Sequence, residues 1–331
     1  MQTKKSPVNV FIDSDLGWDD WCAISLLAQS SATNIVGLSV TGCGEAYFSP
    51  ALQNALDILN LLECNATVGK GATAPTAYSN VFPSDFRKNV SSLFGYTLQR
   101  SSVDPLQLQS AEVVLSNALT AFPDLIYLSI GGFTNLYNYL MNDKYNNLIP
   151  KSIVAMCGAV NVPGNINSLF SAAYPTNKVA EWNIFIDPVA AQYVIQYYQD
   201  NNLSLRISPL DASYQVPLGP NVVHPLVTHR NQDPLTLFLG YVLSTRFNQS
   251  QSEGYPEYFY DPLAAWTIID AGVNVTYING DFSVNTDFDN EESSSLGQLT
   301  FKANPSSLSC YGLVNSPDAF YTTFLNTILP I

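Results

Sequence analysis

Basic residues are scarce in this sequence. Its 331 residues include 13 Lys and Arg against 27 Asp and Glu, which gives a formal net charge of −14. Binding a phosphate backbone requires a basic surface, so the composition argues against nucleic acid as a partner and equally against a polyanionic substrate. A neutral substrate, or one that is presented to a bound cation, fits this charge better.

Long hydrophobic runs and metal-binding cysteine motifs are also missing. No apolar run reaches the roughly 20 residues of a spanning helix, so no membrane partner is predicted. The five cysteines are odd in number and lack Cys-x-x-Cys spacing, which excludes a zinc ribbon and argues against a complete disulfide framework. No signal peptide is visible, although a processed chain would look the same. Low lysine content and five N-x-S/T sequons slightly favour a soluble secreted, periplasmic or vacuolar protein over a cytoplasmic one.

Short apolar segments alternate with amphipathic ones along most of the chain. The pattern predicts strands at 8–12, 34–40, 125–130, 153–157 and 203–208, and helices at 19–27, 49–62, 104–121, 135–140 and 187–198. Such alternation indicates an α/β fold, a mostly parallel central sheet flanked by helices in an open, Rossmann-like arrangement. Residues 281–309 alternate differently and predict a small β-hairpin appended to this core, followed by a final helix at 316–329. No linker or internal repeat is apparent, so residues 1–331 are predicted to form a single domain.

Polar residues follow the predicted strands where each strand ends. An aspartate cluster follows the first strand, residues 41–45 follow the second, and Gly131-Gly132 and residues 158–165 follow two later ones. Ligands of open α/β sheets bind outside the carboxyl ends of the strands, so these loops should converge on one rim.

The aspartate cluster is the most informative feature of the sequence. Asp13, Asp15, Asp19 and Asp20 fall within eight residues, where their like charges repel. A hard cation held by oxygens would neutralise them, and the lack of nearby His or Cys donors argues against zinc. Asp19 and Asp20 have an alternative interpretation, as acids in the first turn of a helix. A second alternative, the D-x-D of an aspartyl phosphatase with Mg²⁺, fits the following Leu16 and the scarce lysine poorly.

The spacing D-S-D-L-G-W-D-D resembles the D-x-D-x-x-x-D-D signature of the inosine–uridine-preferring nucleoside hydrolase superfamily. Further segments are similar to family motifs in the same order, up to about residue 275: Gly131 to Asn135, Met156 to Gly158 with Gly164-Asn165, Glu181-Trp182-Asn183, Asp187 to Ala191, Pro209 to Ser213, and Asp261 to Ala264. Six matches in the right order are far more specific than any one of them. The resemblance implies hydrolysis of ribonucleosides to base and ribose, a role in purine or pyrimidine salvage, and often a homo-oligomer.

The resemblance also implies a site. Ca²⁺ would be bound by Asp15, Asp20, Asp261 and the main-chain oxygen of Ile130, and Asp15 would also be the general base towards a calcium-bound water. The ribose hydroxyls would be held by Asp19, Asn165, Glu181 and Asn183, with Asp13 supporting the loop. Without the family argument, Glu181 and Asn183 would equally well be outward-facing residues of a strand. Asp261 alone would be read as a helix N-cap before Pro262.

Two positions depart from the best-known family pattern. Many members have a His before D-P-L-A that is a candidate general acid, where this chain has Tyr260, a weaker acid at neutral pH. Cys43 stands where many members have an Asn facing the ribose, so Glu45 is a hypothetical substrate contact. His224 and His229, the only histidines, could approach the base, but a surface or capping position is the commoner case. Trp18, Trp182, Phe259 and Tyr260 are candidate aromatic walls for the base.

The predicted function is therefore calcium-dependent cleavage of the N-glycosidic bond of a ribonucleoside substrate. Tyr260 and Cys43 motivate an alternative, a catalytically impaired calcium-dependent nucleoside- or sugar-binding protein. The sequence does not define the preferred base.

Overall fold

The computed structural model describes residues 6–145, 147–166, 174–230, 233–287 and 295–329. Within them a nine-stranded sheet has the order β3-β2-β1-β4-β5-β6-β9-β7-β8. The strands are β1 (Val8–Ser14), β2 (Thr33–Val40), β3 (Val68–Lys70), β4 (Ile126–Ile130), β5 (Ser152–Met156), β6 (Ser204–Ser208), β7 (Val275–Val284), β8 (Leu299–Ala303) and β9 (Ser309–Val314). β7 pairs antiparallel with β8 and β9, whereas the pairs from β3 through to β9 are parallel. The predicted mostly parallel sheet is confirmed.

Helices cover both faces of this sheet. They are α1 (Trp18–Gln29), α2 (Phe48–Leu61), α3 (Ser84–Ser91), α4 (Ala111–Ala121), α5 (Thr134–Leu140), α6 (Trp182–Phe185), α7 (Pro188–Asp200), α8 (Leu210–Ser213), α9 (Pro220–His229), α10 (Pro234–Glu253), α11 (Asp261–Asp270) and α12 (Pro317–Ile328). Successive residues of β1 enter opposite cores: Val10 and Ile12 belong to one buried cluster and Phe11 to the other. This two-sided burial explains why the consecutive residues Val10, Phe11 and Ile12 are all apolar. Among the described residues, no helix is both long enough and apolar enough to cross a membrane.

Several predicted boundaries were wrong. The predicted helix at 104–121 is a short 3₁₀ turn at Pro105–Gln107 followed by α4, because the Asp104 side chain accepts the Leu106 N–H and closes a local turn. The helix predicted at 49–62 begins at Phe48 with Tyr47 at its N-cap, one residue earlier than expected, and ends at Leu61. The hairpin near the C-terminus is confirmed, although β7 also pairs with β9 and so extends the main sheet. Residues 288–294 of that segment lie outside the described residues.

Candidate active site

The turn from β1 to α1 fixes the Asp20 carboxylate. Ser14 Oγ donates to Asp20 Oδ1 at 2.5 Å, and the Gly17 N–H donates to Asp20 Oδ2 at 2.9 Å. Leu16 lies in the left-handed region at φ 59°, which costs a non-glycine residue energy. Its N–H donates to the same Ser14 hydroxyl at 3.0 Å, which helps to hold that conformation. Asp19 and Asp20 do lie in the first helical turn, as the alternative interpretation held, and they also face other acids.

Three carboxylates from two distant segments meet beyond this turn. α11 packs on α1, and oxygens of Asp19, Asp20 and Asp261 lie within 4.8 Å of one another, all buried. The Asp261 N–H donates to Asp19 Oδ2 at 3.4 Å. Asp261 is the first residue of α11 and Tyr260 occupies the cap position, so the N-cap interpretation of Asp261 was wrong. Burial, together with the neighbouring Asp15 charge, raises the pKa of Asp19 to about 7. Burial also raises the pKa of Asp20 and of Asp261 well above the ordinary range.

Asp15 lies behind these three acids. Its Oδ2 accepts the Glu45 N–H at 3.0 Å, and its carboxyl group hydrogen-bonds to that of Asp20. Burial raises the pKa of Asp15, whereas these hydrogen bonds and the Arg87 charge lower it. Asp13 lies deeper, where its Oδ1 accepts from Ser39 Oγ at 2.6 Å and from Asn135 Nδ2 at 2.7 Å. These contacts tie the end of β1 to β2 and α5.

A cavity of about 240 Å³ opens over the three acids at the carboxyl edge of the sheet. Eight of the ten residues predicted from the sequence line it: Asp19, Glu45, Ile130, Asn165, Glu181, Asn183, Tyr260 and Asp261. The other two, Asp15 and Asp20, lie directly beneath the lining. The loops after the first and later strands thus converge on one rim, as the strand-end pattern indicated.

Glu181 and Asn183 are on a helix, so their interpretation as residues of a strand was wrong. Glu181 is the N-cap of α6; its carboxylate accepts the N–H groups of Asn183 at 2.8 Å, Ile184 at 3.3 Å and Gly158 at 2.9 Å. Burial nevertheless raises its pKa to about 7. Asn183 Nδ2 donates to the Met156 carbonyl at 3.0 Å, which orients the amide towards the end of β5.

Asn165 is positioned by the same segment. Its Oδ1 accepts the Trp182 N–H at 3.1 Å, and its own N–H donates to the Ala180 carbonyl, also at 3.1 Å. The preceding Gly164 is required, because a Cβ there would lie 2.0 Å from the Ala180 carbonyl oxygen. The two amides and Glu181 therefore form a preorganised polar wall facing the aspartates.

The opposite wall contains residues that sequence reasoning missed. Arg246 of α10 is 1% exposed and forms an ion pair with Glu257, and both line the cavity. The Arg246 guanidinium carbon also lies 5.8 Å from the centre of the Trp18 ring. Tyr214 and Tyr258 also line the cavity, with their ring centres 4.7 Å apart and their planes tilted by 43°. The one basic residue in a helix whose first half is largely apolar was the available signal.

The histidines and the candidate aromatic residues differ in whether they line the cavity. His224 and His229 lie on α9 and do not line this cavity, and His229 Nδ1 is 2.8 Å from the Pro225 carbonyl oxygen. Trp18, Trp182 and Tyr260 do line it, and Trp182 stacks on Phe82 with ring centres 3.9 Å apart. Phe259 is fully buried among core aromatics such as Phe320, so its proposed place in a base-binding wall was wrong.

Fold and site together define a mostly parallel α/β protein with a buried carboxylate cluster under a cavity at the carboxyl edge of its sheet. The model of the family described as inosine-uridine preferring nucleoside hydrolase matches residues 10–317, so the chain belongs to that family, as its motifs predicted.

Individual relatives agree with this assignment. The chain is 27% identical to an uncharacterized protein of Schizosaccharomyces pombe over 248 residues. This matched stretch covers 75% of this chain and 70% of the relative. It is 29% identical over 211 residues to the pyrimidine-specific ribonucleoside hydrolase RihA of Shewanella baltica, with 62% of this chain and 60% of that protein covered. The fold is similar to that of a plant nucleoside hydrolase (TM-score 0.81, 19% identity, 98% and 100% of the two chains). It is also similar to that of a purine-preferring ribonucleoside hydrolase from Gardnerella vaginalis (TM-score 0.80, 20% identity, 97% and 98%).

Proposed function

We propose that this protein hydrolyses the N-glycosidic bond of ribonucleosides in a calcium-dependent reaction, releasing base and ribose. The observation that carries the proposal is the convergence of Asp19, Asp20 and Asp261 beneath a cavity lined by further polar groups. Family membership supports the reaction class. The released products would enter purine or pyrimidine salvage.

Calcium fits the residues present. Buried carboxylates with raised pKa values are unfavourable neighbours unless a cation compensates them, and their oxygens are the donors that Ca²⁺ prefers. Asp15, Asp20, Asp261 and the main-chain oxygen of Ile130 would hold the ion. When bound, the ion supplies Lewis acidity that makes water more acidic and orients the ribose hydroxyls.

The remaining groups are suited to a ribosyl transition state. Asp15 would accept the proton of the attacking water. Asp19, Asn165, Glu181 and Asn183 would hold the sugar hydroxyls, with Glu45 as a further contact. Breaking the bond to the base builds positive charge on the sugar ring, and carboxylate and amide oxygens around the ring stabilise that charge.

Asp15→Asn tests the proposal. The substitution preserves shape and removes the base and an anionic ligand, so turnover in a nucleoside panel should fall by roughly 10³-fold or more, with folding intact by circular dichroism. The panel, which is also the route to base preference, is run with added calcium and with a chelator. Unchanged turnover in the variant would contradict the assignment of Asp15.

A second candidate is a calcium-dependent nucleoside- or sugar-binding protein with impaired catalysis. Burial, together with the Glu257 charge, raises the pKa of Tyr260 well above its ordinary value, which makes this phenol a poor proton donor. Calorimetric binding of nucleosides without release of base would favour this candidate. Phosphate release from phosphomonoesters with Mg²⁺ would favour the phosphatase instead. We also propose that the protein lies outside the cytoplasm, which cell fractionation tests, and that it forms a homo-oligomer, which gel filtration tests.

A further inference from the structure

The loop of residues 42–46, which we call the acidic loop, is held at both ends by one arginine of α3. Arg87 Nη2 donates to the carbonyl oxygen of Gly42 and to that of Ala46, both at 2.8 Å. The guanidinium carbon also lies 4.4 Å from the centre of the Tyr47 ring, directly after the loop. These contacts connect the two ends of the loop through a single side chain. The planar guanidinium is half-buried, so the two hydrogen bonds are partly shielded from water.

The acidic loop in turn fixes Asp15. The Glu45 N–H donates to Asp15 Oδ2 at 3.0 Å, and the Ala46 N–H donates to the Asp15 carbonyl at 3.2 Å. Gly44 packs against the same carboxylate so closely that a Cβ there would lie 1.7 Å from Oδ2. A shift of the loop therefore has to move either the Asp15 carboxylate or the hydrogen bond that orients it.

The side chain of Glu45 extends from the acidic loop into the cavity. Its side chain crosses above Gly17, where a Cβ would lie 2.3 Å from Glu45 Oε2, and it lines the cavity beside Asp19. Glu45 Oε2 is shielded from solvent and accepts no hydrogen bond from the described residues. The position of this carboxylate therefore depends on the backbone of the acidic loop, and the Arg87 contacts at residues 42 and 46 help to position it as well.

α3 is also held by contacts that do not involve Arg87, so the effect of Arg87 on the loop can be tested separately from the stability of the helix. Ser91 Oγ accepts the Tyr47 N–H at 2.9 Å, and the Ser91 carbonyl accepts from Asn54 Nδ2 at 3.1 Å. Phe86 and Val90 of the same helix are buried in the core. Removing the Arg87 head group should leave the helix in place and release the loop.

We propose that Arg87 is a positioning residue that holds the acidic loop so that the Asp15 and Glu45 carboxylates face the ion and the substrate. This inference rests on the proposed function, because it assigns Asp15 to the calcium site. Residues that orient metal ligands from outside the site typically contribute 10- to 100-fold to metal affinity or activity.

Arg87→Met is the test, because methionine keeps an unbranched side chain without the hydrogen bonds. Calcium titrated calorimetrically into the intact protein should bind about 10- to 100-fold more weakly than to the parent. Lys88→Met is the matched control, since the exposed Lys88 side chain on the next position pairs with Asp85 on the same helix; its calcium affinity should equal that of the parent. Arg87→Lys, which keeps the charge and one donor group, should recover part of the loss.

The readouts separate positioning from folding. In urea with a chelator, the unfolding midpoint of Arg87→Met should stay near that of Lys88→Met while calcium affinity and kcat for a nucleoside both fall. Parental calcium affinity in Arg87→Met would overturn the inference, and so would an equal loss in Lys88→Met. If Arg87→Met does not fold, Arg87→Lys decides by the same comparison. A parent protein that binds no calcium and cleaves no nucleoside would instead overturn the proposed function.

Discussion

Replacing Glu181 by Gln should flatten the pH dependence of stability. Glu181 is 2% exposed, and burial raises its pKa from 4.5 to about 7 although three backbone N–H groups hydrogen-bond to it. In the unfolded chain this carboxyl releases its proton near 4.5, whereas the folded protein retains the proton up to about 7. The unfolded state therefore binds fewer protons across this window, and stability falls as pH rises through it.

The size of the effect follows from the two pKa values. At ~1.4 kcal/mol for each pH unit that separates them, the full loss is about 3 kcal/mol, of which about 2–3 kcal/mol falls between pH 5 and pH 8. Gln cannot titrate, so this loss should be absent from the variant. Poorer hydrogen bonding by the Gln amide lowers stability equally at both pH values and cancels in the difference.

The assay is urea unfolding of parent and variant at pH 5 and pH 8, with chelator present so that calcium does not change the ionisation of nearby acids. The other buried carboxylates contribute to both proteins alike, so the difference between the two pH dependences isolates Glu181. Glu63→Gln, at an exposed carboxylate, is the control and should leave the parental slope unchanged. Parallel pH dependences for parent and Glu181→Gln would refute the reasoning.

Two further predictions concern the opposite wall of the cavity. Arg246→Met leaves the buried Glu257 without its counter-charge, so the free energy of unfolding at pH 8 should fall by about 3–5 kcal/mol. The double variant with Glu257→Leu should regain much of this stability. A double variant no more stable than Arg246→Met would contradict the reasoning. Tyr260→Phe should keep turnover within about tenfold, because a phenol whose pKa is raised above its ordinary value is a poor acid; a loss of 10²-fold or more would identify Tyr260 as the general acid.

The sequence predicted the sheet and most of the residues that meet at the cavity for an identifiable reason. β1 is buried on both faces and ends in acids, and this local pattern, apolar run followed by Asp13 and Asp15, is readable without tertiary information. The ordered motifs then connected Asp261 to that strand end, although the two segments are far apart in the chain. Their convergence depends on α11 packing against α1, which neither segment encodes alone.

The parts that were missed depend on contacts between distant segments. Arg246 looks like a surface residue of a helix until α10 packs it beside Glu257 and Trp18, where it becomes fully buried. Glu181 was ambiguous because its alternating neighbours suit a strand, and the choice of helix depends on the N–H donors that its carboxylate receives from α6 and Gly158. The two donors in α6 are local, but the Gly158 donor comes from a segment 23 residues away, which a local pattern does not show.

The residues that line the cavity fall into two groups, which differ in how they are held and in the charges they offer. On the side proposed to bind the sugar, backbone groups hold Glu181, Asn165 and Asn183 in place, so in the proposed reaction these side chains would need no reorganisation as charge develops on the ring. On the other side, no histidine lines the cavity among the described residues, and the one cationic side chain there, Arg246, is committed to Glu257. We therefore expect no conventional acid of this wall to protonate the departing base. If the proposed hydrolysis occurs, most of the barrier lowering has to come from the sugar side, where carboxylates and amides stabilise the ribosyl cation, and substrates with better leaving groups should be cleaved faster.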